Sequence, residues 1–322
     1  MGLFWYKNKR YSVDEPKETA QVLRQPGTAE NVVFPVTDAD GMPVEASGVM
    51  PINLAVIREG GAAYRMWRDY SAYSAPGRSF CEFYGELLQT AGGCLVSGAT
   101  GSGKSVVLNG ILREILGTFG PEGCRGKSCD IYLCDPKIVE FRRYRMLPQV
   151  RKYATGTDEI LRVLDEVDAI MMKRYADMAE RDLLKWDGDP VFLFIDEIGD
   201  LMLTRRADFL PRVTHILQLC RAAGIVVYLA SQSPSRKTLP AELILNVTVK
   251  IGLRCDTRIE SNQVIGMSGC EDLPEHGTAL VKMPGRPIRR QDIPNCTESE
   301  TQAVIRQVEK RSSDCIRKQR IA

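Results

Sequence analysis

The sequence predicts an α/β fold, with a mainly parallel sheet flanked by helices and a small N-terminal region before it. Short apolar runs alternate with longer amphipathic ones, which is the pattern of strands that alternate with helices. A glycine-rich loop also joins one apolar strand directly to a helix, as parallel sheets often require. We expect strands at 94–97, 131–134, 191–195, 225–230, 247–253 and 278–283, and helices at 104–117, 157–185 and 207–222.

This pattern divides the 322 residues into three regions. Residues 1–85 are rich in proline, glycine and small residues, with a strand expected at 32–36, and we interpret them as a docking or packing region. Residues 86–294 carry the alternating elements and end in a hairpin that turns at 283–288. Residues 295–322 form a basic tail, for which a solvated end is favoured over a basic helix lying on an acidic partner.

A phosphate-binding loop is the most specific motif in the chain. It fits the pattern G-x-x-x-x-G-K-[ST] with Gly98, Ala99, Thr100, Gly101, Ser102, Gly103, Lys104 and Ser105. Glycines allow the backbone N–H groups to turn toward a phosphate, and the following helix begins with partial positive charge. We therefore expect all eight residues to bind ATP, Lys104 to reach the β- and γ-phosphates, and the Ser105 hydroxyl to bind Mg²⁺.

Two acidic residues follow a second buried strand. The apolar run 191–195 ends in Asp196 and Glu197, an arrangement known as Walker B. In a nucleotide site the first carboxylate holds Mg²⁺ through its water shell and the second orients the attacking water. The pair therefore predicts hydrolysis, in addition to nucleotide binding.

Two further polar residues fit this chemistry less specifically. Gln232 follows the strand 225–230, where it can report the state of the γ-phosphate through a hydrogen bond, or be structural. Arg221 ends a predicted helix. It can stabilise transition-state charge in a neighbouring subunit, or it can be a cation that the helix dipole favours.

Composition restricts the partners and the compartment. The formal net charge is only +2, so any contact with nucleic acid must come from local loops. The ten cysteines contain no C-x-x-C pair, which indicates reduced thiols in a cytoplasmic protein. No apolar run reaches the roughly 18 residues of a membrane span, so we expect any membrane recruitment to depend on a partner.

Several motifs outside the phosphate loop occur together in one order. Asp135-Pro136-Lys137 is followed by Val139-Glu140-Phe141, and Arg221-Ala222-Ala223-Gly224-Ile225 and Ser231-Gln232-Ser233-Pro234 come later. Together with the phosphate-binding loop and Walker B, these segments resemble the motor domain of the FtsK/SpoIIIE DNA translocases over roughly residues 90–285.

The resemblance implies a RecA-like P-loop NTPase that forms a hexameric ring around double-stranded DNA, with ATP between subunits. It makes Arg221 the trans-acting finger, Gln232 the sensor, and Asp196 and Glu197 the Walker B pair. Residues 1–85 would then contribute to docking or ring packing.

The chain departs from this family where DNA contacts are expected. Ser233 and Ile244 stand where the family has basic residues, and Glu260-Ser261-Asn262 replaces D-S-R. Arg258 keeps a family-like charge, and nearby basic residues can compensate, which gives the DNA-binding candidates Arg236, Lys237, Arg254 and Arg258. The compact motor suits plasmid, conjugative-element or phage DNA. The alternatives are a ring ATPase that transfers single-stranded DNA with a relaxase, or a protein, through a secretion channel, and an ATP-gated adaptor without motor activity.

Overall fold

The fold was taken from a computed structural model, which describes the backbone of residues 2–6, 9–13, 52–59, 62–68, 80–90, 92–120, 128–232 and 234–319. Side chains are described within 82–90, 92–120, 128–232 and 234–310. The chain divides into two units, Met1–Ala72 and Tyr73–Ala322. The strand expected at 32–36 lies outside the described residues.

Two antiparallel hairpins are described in the first unit. Strand β1 (Gly2–Tyr6) pairs with β2 (Lys9–Val13), and β3 (Ile52–Glu59) pairs with β4 (Ala62–Arg68). The register of β3 and β4 shifts between Leu54 and Ile57, which is typical of a β-bulge.

The second unit is built on an eight-stranded sheet. Its strands are β5 (Gly93–Ser97), β6 (Asp130–Cys134), β7 (Val150–Ala154), β8 (Val191–Ile195), β9 (Ile225–Ser231), β10 (Val249–Gly252), β11 (Thr278–Lys282) and β12 (Arg289–Asp292). They lie in the order β12-β11-β10-β5-β9-β8-β6-β7. The six strands from β10 to β7 are parallel, and at one edge β11 pairs antiparallel with both β10 and β12. The predicted fold class is therefore confirmed.

Helices connect the strands. They are α1 (Phe80–Thr90), α2 (Lys104–Thr118), α3 (Thr157–Glu180), α4 (Ile198–Thr204), α5 (Arg206–Leu219), α6 (Ala241–Asn246), α7 (Arg258–Ile265) and α8 (Glu298–Gln319). Helices α1, α2 and α8 pack together, and α3 packs against α5. None of the helices in the described part of the chain is long and apolar enough to cross a membrane.

One part of the core lies between α2 and one face of the sheet. Apolar residues at a helical spacing on α2 are all buried, as the sequence predicts: Val107, Leu108, Ile111, Leu112, Ile115 and Leu116. They share one cluster with Cys94 and Val96 of β5, whereas Leu95 between them belongs to the other face because strand side chains alternate. Packing between β5 and α2 thus holds the strand and the helix that flank the phosphate loop.

Helix α2 also packs very closely on α1. A Cβ added to Gly110 would lie 2.1 Å from Cζ and 2.3 Å from the hydroxyl oxygen of Tyr84. That hydroxyl donates a hydrogen bond to the carbonyl oxygen of Pro294, 3.1 Å away, so the ring is fixed at both ends. Gly110 therefore lets the phosphate-loop helix approach α1.

Some predicted bounds are wrong. The helix expected at 157–185 ends at Glu180, because Asp182 adopts a left-handed backbone conformation with φ 51°. The helix expected at 207–222 ends at Leu219, and the strand expected at 247–253 is limited to Val249–Gly252. The tail contains α8, whose buried Ile305 and Val308 join the core, so this part is not a solvated end.

Candidate nucleotide-binding site

The phosphate loop runs from the carboxyl end of β5 to the first turn of α2. Gly101 and Gly103 adopt φ values of 81° and 103°, which residues with a Cβ rarely reach. Gly98 has a different constraint, since a Cβ there would lie 2.6 Å from Ser102 Oγ and 2.7 Å from Leu253 Cβ. The glycines thus set both the curvature of the loop and its contact with the segment after β10.

The Lys104 ammonium lies over its own loop. Its Nζ donates to the carbonyl oxygens of Gly98 and Ala99, at 2.8 and 2.9 Å, and the side chain is buried. Burial lowers the pKa of Lys104, and the carboxylates of Glu197 and Asp196 oppose that effect. A buried cation at this position gives the loop a localised positive charge next to the N-terminus of α2.

The Ser105 hydroxyl is part of a polar network between α2 and residues 140–144. Its Oγ donates to Glu140 Oε2 at 2.5 Å. Asn109, one turn further along α2, donates from Nδ2 to Glu140 Oε1 at 2.6 Å and accepts a hydrogen bond from the Tyr144 hydroxyl. Burial raises the pKa of Glu140, while the bonds from Ser105 and Asn109 lower it.

Asp196 and Glu197 lie at the carboxyl end of β8, as the sequence predicts. Burial, together with the carboxylates of Glu140, Asp135 and Glu197, raises the pKa of Asp196 to about 7. An acidic group in this position gains from a nearby divalent cation, which would offset the repulsion among these carboxylates.

Glu197 is held in an unusual backbone conformation. It has φ 55° and ψ 68° at the residue that precedes α4, and its side chain is only 6% exposed. Lys137 Nζ lies 3.2 Å from Oε2, and the backbone N–H of Gln232 donates to Oε1 at 3.4 Å. The carboxylate is thus directed by contacts from two neighbouring strand ends.

Gln232 lies at the end of β9, between the phosphate-loop strand and the Walker B strand. Its Oε1 accepts a hydrogen bond from Thr100 Oγ1 at 3.3 Å. The side chain therefore touches the phosphate loop while its backbone touches Glu197, which is the placement that a sensor of the γ-phosphate needs.

The loop at 135–141 brings Lys137 and Glu140 to the site. The fully buried Asp135 carboxylate accepts from the backbone N–H groups of Val139 and Phe141, at 3.2 and 2.9 Å. Ile138 takes φ 59°, a left-handed conformation that is unfavourable for a β-branched residue. The loop is therefore fixed by a buried carboxylate against a local backbone preference.

These residues fit ATP with Mg²⁺. The loop offers backbone N–H groups at the start of α2, the Lys104 ammonium, and the buried Ser102 hydroxyl, which has no hydrogen-bond partner among the described residues. The Ser105 hydroxyl and the Asp196 carboxylate carry oxygen atoms of the kind that Mg²⁺ prefers as ligands.

Arg221 lies away from this group of residues. It precedes β9, whereas Gln232 follows it, so the length of the strand, about 20 Å at 3.3 Å per residue, separates them. A Cβ on Gly92, before β5, would lie 3.0 Å from Arg221 Cβ, which places Arg221 at the amino edge of the sheet. The arginine is exposed there and does not reach the phosphate loop of the same chain.

The DNA-binding candidates lie in segments that follow the carboxyl ends of β9 and β10. Arg236 and Lys237 are exposed. Arg254 lies 3.7 Å from Glu275, and Arg258 lies 3.3 Å from Glu271. The structure therefore brings these basic residues to the side of the sheet that carries the phosphate loop, and pairs two of them with carboxylates.

Comparison with known proteins identifies the domain. Residues 82–189 match the model of the FtsK/SpoIIIE family. Residues 82–189 thus form an FtsK/SpoIIIE family domain. The DNA translocase FtsK of Caldanaerobacter subterraneus subsp. tengcongensis is 30% identical over an alignment of 224 residues that covers 66% of this chain and 31% of that protein. The DNA translocase SpoIIIE of Bacillus subtilis is 28% identical over an alignment of 219 residues that covers 61% of this chain and 27% of that protein. The chain spans less than a third of the length of these two relatives.

Solved structures show the same fold. The pCW3 conjugation coupling protein TcpA, in its monomer form with ATPγS, is 22% identical with a TM-score of 0.61, and the match covers 79% of this chain and 82% of that chain. The cytoplasmic domain of the Thermomonospora curvata type VII secretion ATPase EccC is 23% identical with a TM-score of 0.55, covering 85% of this chain and 30% of that chain. The FtsK/SpoIIIE domain thus has the fold of P-loop ATPases.

The sequence alone did not assign roles to Lys137, Glu140 and Asn109 in the FtsK/SpoIIIE domain. The signal was present for the first two, since they belong to the segment Asp135–Phe141 that supports the family resemblance. Their roles depend on which atoms meet, and that follows from the packing of β6 next to β8 and from the direction of α2.

Proposed function

We propose that this protein is an ATPase that uses hydrolysis to move double-stranded DNA. The observation that supports the proposal best is the meeting of four elements at one edge of the sheet. Gln232 contacts both the phosphate loop and Glu197 there, and the Ser105 hydroxyl binds Glu140. The carboxylates of Glu197 and Asp196 are close enough to raise the pKa of Lys104, and Glu140 is close enough to raise that of Asp196. The membership of this domain in the FtsK/SpoIIIE family connects that site with DNA translocation.

The residues have distinct roles in the proposed hydrolysis. Lys104 and the N–H groups at the start of α2 bind the phosphates, and Ser105 and Asp196 hold Mg²⁺. When bound, Mg²⁺ neutralises charge on the phosphate oxygens. Glu197 orients the attacking water and accepts its proton, and Gln232 connects that carboxylate to the phosphate loop.

A ring of subunits completes the proposed site. Arg221 is exposed at the amino edge of the sheet, so it can reach a phosphate only in another copy of this chain. An arginine supplied in trans is typically worth 10³–10⁵ in kcat. We propose that copies assemble in a ring, with hexamer as the family expectation, and that the motor works in the cytoplasm, where any membrane attachment comes from a partner.

DNA contacts in this proposal come from Arg236, Lys237, Arg254 and Arg258. The Arg258 side chain is 79% exposed, so a DNA phosphate can compete with its partner Glu271. The small net charge agrees with contacts confined to a few loops. The likeness to a conjugation coupling protein, whose solved chain is covered to 82%, favours a plasmid or another mobile element as the source of DNA.

A second cargo is favoured by one observation. Arg254 and Arg258 pair with Glu275 and Glu271, which lowers the positive potential available to DNA. Structural likeness to a type VII secretion ATPase makes a protein substrate the alternative, along with single-stranded DNA carried by a relaxase.

ATP hydrolysis measured with linear duplex, with single-stranded DNA and without nucleic acid separates these functions. Duplex-stimulated hydrolysis supports the proposal, and stimulation by single strands alone supports the second cargo. Lys104→Ala is the control that should abolish hydrolysis. Hydrolysis that neither DNA form stimulates would contradict DNA translocation, and binding without hydrolysis would indicate an adaptor.

A further inference from the structure

One carboxylate contacts two successive turns of the phosphate-loop helix. Glu140 Oε2 accepts from Ser105 Oγ at 2.5 Å, and Glu140 Oε1 accepts from Asn109 Nδ2 at 2.6 Å. Asn109 Nδ2 also donates to the Ser105 carbonyl oxygen at 2.7 Å. Both oxygens of Glu140 are thus engaged by residues that lie on one face of α2.

Glu140 is itself rigidly placed. Residues on both sides of it, Val139 and Phe141, donate their backbone N–H groups to the buried Asp135 carboxylate. The Phe141 ring is fully buried and packs edge-on against Phe194 of the Walker B strand, with ring centroids 5.7 Å apart. The position of Glu140 therefore follows from the backbone and the core, and it does not depend on the bonds to α2.

The orientation of the Asn109 amide is fixed as well. The buried Tyr144 hydroxyl donates to Asn109 Oδ1, so the amide NH₂ group must face Glu140. The direction of hydrogen bonding is then settled along the network, from Tyr144 to Asn109 to Glu140, with Ser105 as the second donor to that carboxylate.

This arrangement determines what the Ser105 oxygen can offer. A serine hydroxyl has one proton and two lone pairs. When the hydroxyl donates its proton to Glu140, that proton points toward the carboxylate and both lone pairs of the oxygen remain available. The oxygen then becomes a better ligand for a cation. Residues that orient a metal ligand in this way usually matter almost as much as the ligand itself.

We propose that Glu140 is a positioning residue of the nucleotide site, which acts through Ser105 to orient the hydroxyl toward the Mg²⁺ of bound ATP. The inference rests on the proposed ATP site, and it deepens that site by adding a carboxylate from the loop after β6 to those of the Walker B strand. Glu140 contacts Ser105 and Asn109, and it is not proposed to touch the phosphates.

The sign of the effect distinguishes this role from a merely structural one. With Mg²⁺ present, loss of Glu140 misorients Ser105 and weakens nucleotide binding. With Mg²⁺ removed, the same loss takes a negative charge away from the triphosphate, so binding stays unchanged or becomes tighter. Damage to the loop or to α2 would instead weaken binding in both conditions.

The test uses full-length Glu140→Gln and a fluorescent ATP analogue, titrated at a series of Mg²⁺ concentrations and in EDTA. We expect the Mg²⁺ concentration at half-maximal effect to rise about 10- to 100-fold, in line with other outer-shell residues. Glu166→Gln is the matched control, because Glu166 also accepts a hydroxyl hydrogen bond, from Tyr132 at 2.9 Å, but on α3 away from the loop. That control should bind like the wild type in both conditions.

A double-mutant cycle tests whether Glu140 acts through Ser105. In a Ser105→Ala background, Glu140→Gln should change the Mg²⁺ dependence by less than about twofold, because the shared contact is already lost. Equal effects in both backgrounds, or equal weakening with Mg²⁺ and with EDTA, would overturn the inference. Wild-type protein that binds no nucleotide would reject the proposed ATPase instead, and with it this role of Glu140.

Discussion

Gly110→Ala in the phosphate-loop helix α2 should have two opposing effects on the stability of the protein. Alanine is the better helix former by about 1 kcal/mol, so propensity alone predicts a more stable protein. The added Cβ, however, would lie 2.1 Å from the Tyr84 Cζ atom, far inside van der Waals contact. The ring cannot swing away easily, because Tyr84 is fully buried and its hydroxyl is bonded to the Pro294 carbonyl oxygen.

The net effect should be destabilising. Overpacking by one methyl group typically costs about 1–3 kcal/mol, and an overlap with a fixed ring belongs at the upper end or beyond it. After the gain in propensity, we expect a loss of about 2 kcal/mol in the free energy of unfolding, or about 4–8 °C in Tm for a domain of this size. Urea and thermal unfolding followed by circular dichroism measure both quantities.

The same helix provides the control. A Cβ on Gly117, near the end of α2, would meet nothing within 4 Å, so Gly117→Ala should be neutral or stabilising by up to about 1 kcal/mol. In a Tyr84→Leu background the cost of Gly110→Ala should fall, since the contact that opposes it is gone. A Gly110→Ala protein as stable as the wild type would refute the argument that close packing of α1 on α2 requires glycine.

Three further predictions concern the site. A raised pKa favours the folded state only at low pH, and for Asp196 this contribution is lost as pH rises through about 7. Without Mg²⁺ at pH 8, urea unfolding should therefore give Asp196→Asn a free energy of unfolding about 1–3 kcal/mol higher than that of the wild type. The difference should shrink toward pH 5, and a difference that is constant with pH would contradict this. Glu197→Gln should retain ATP binding in a filter assay but lose about 10²–10⁴ in hydrolysis rate, and unchanged turnover would exclude Glu197 as the base. Mixtures of Arg221→Ala and Lys104→Ala subunits should recover hydrolysis that neither variant shows alone, and failure at every mixing ratio would remove the support for an arginine supplied in trans.

The central part of the fold could be predicted because its strands are buried on both faces. Strands such as Val191–Ile195 and Ile225–Ser231 are continuous apolar runs, which is the signature of an interior parallel strand. The edge strands β7 and β12 were not predicted because they carry charges. Strand β7 exposes Arg151 and Lys152, and β12 consists of Arg289-Arg290-Gln291-Asp292, so neither shows an apolar run.

A C-terminal helix was the less favoured alternative for a related reason. Most of its residues are polar, and the buried positions among its described side chains, Thr301, Ile305 and Val308, recur only at intervals of four and three. A stripe so narrow is difficult to distinguish from a solvated charged segment until the surface of α2 that it covers is known.

The site was predictable in its residue types and less so in its contacts. Phosphate-loop and Walker B motifs specify chemistry through local sequence, so Lys104, Ser105, Asp196 and Glu197 could be identified before their geometry was known. The pairings of Lys137 with Glu197 and of Glu140 with Ser105 join residues 60 and 35 positions apart. They arise from the convergence of β6, β8 and α2, which no local pattern encodes.

The left-handed backbone conformations of Ile138 and Glu197 imply that some stability is given up for the geometry of the site. Each is held in a conformation that costs a side-chain-bearing residue about 1–2 kcal/mol, and each adjoins a carboxylate or ammonium of the site. Glycine at position 138 would relieve the backbone strain there and so raise the free energy of unfolding. The same change would make the segment that positions Lys137 and Glu140 more flexible. The gain in stability would therefore come at the expense of the site.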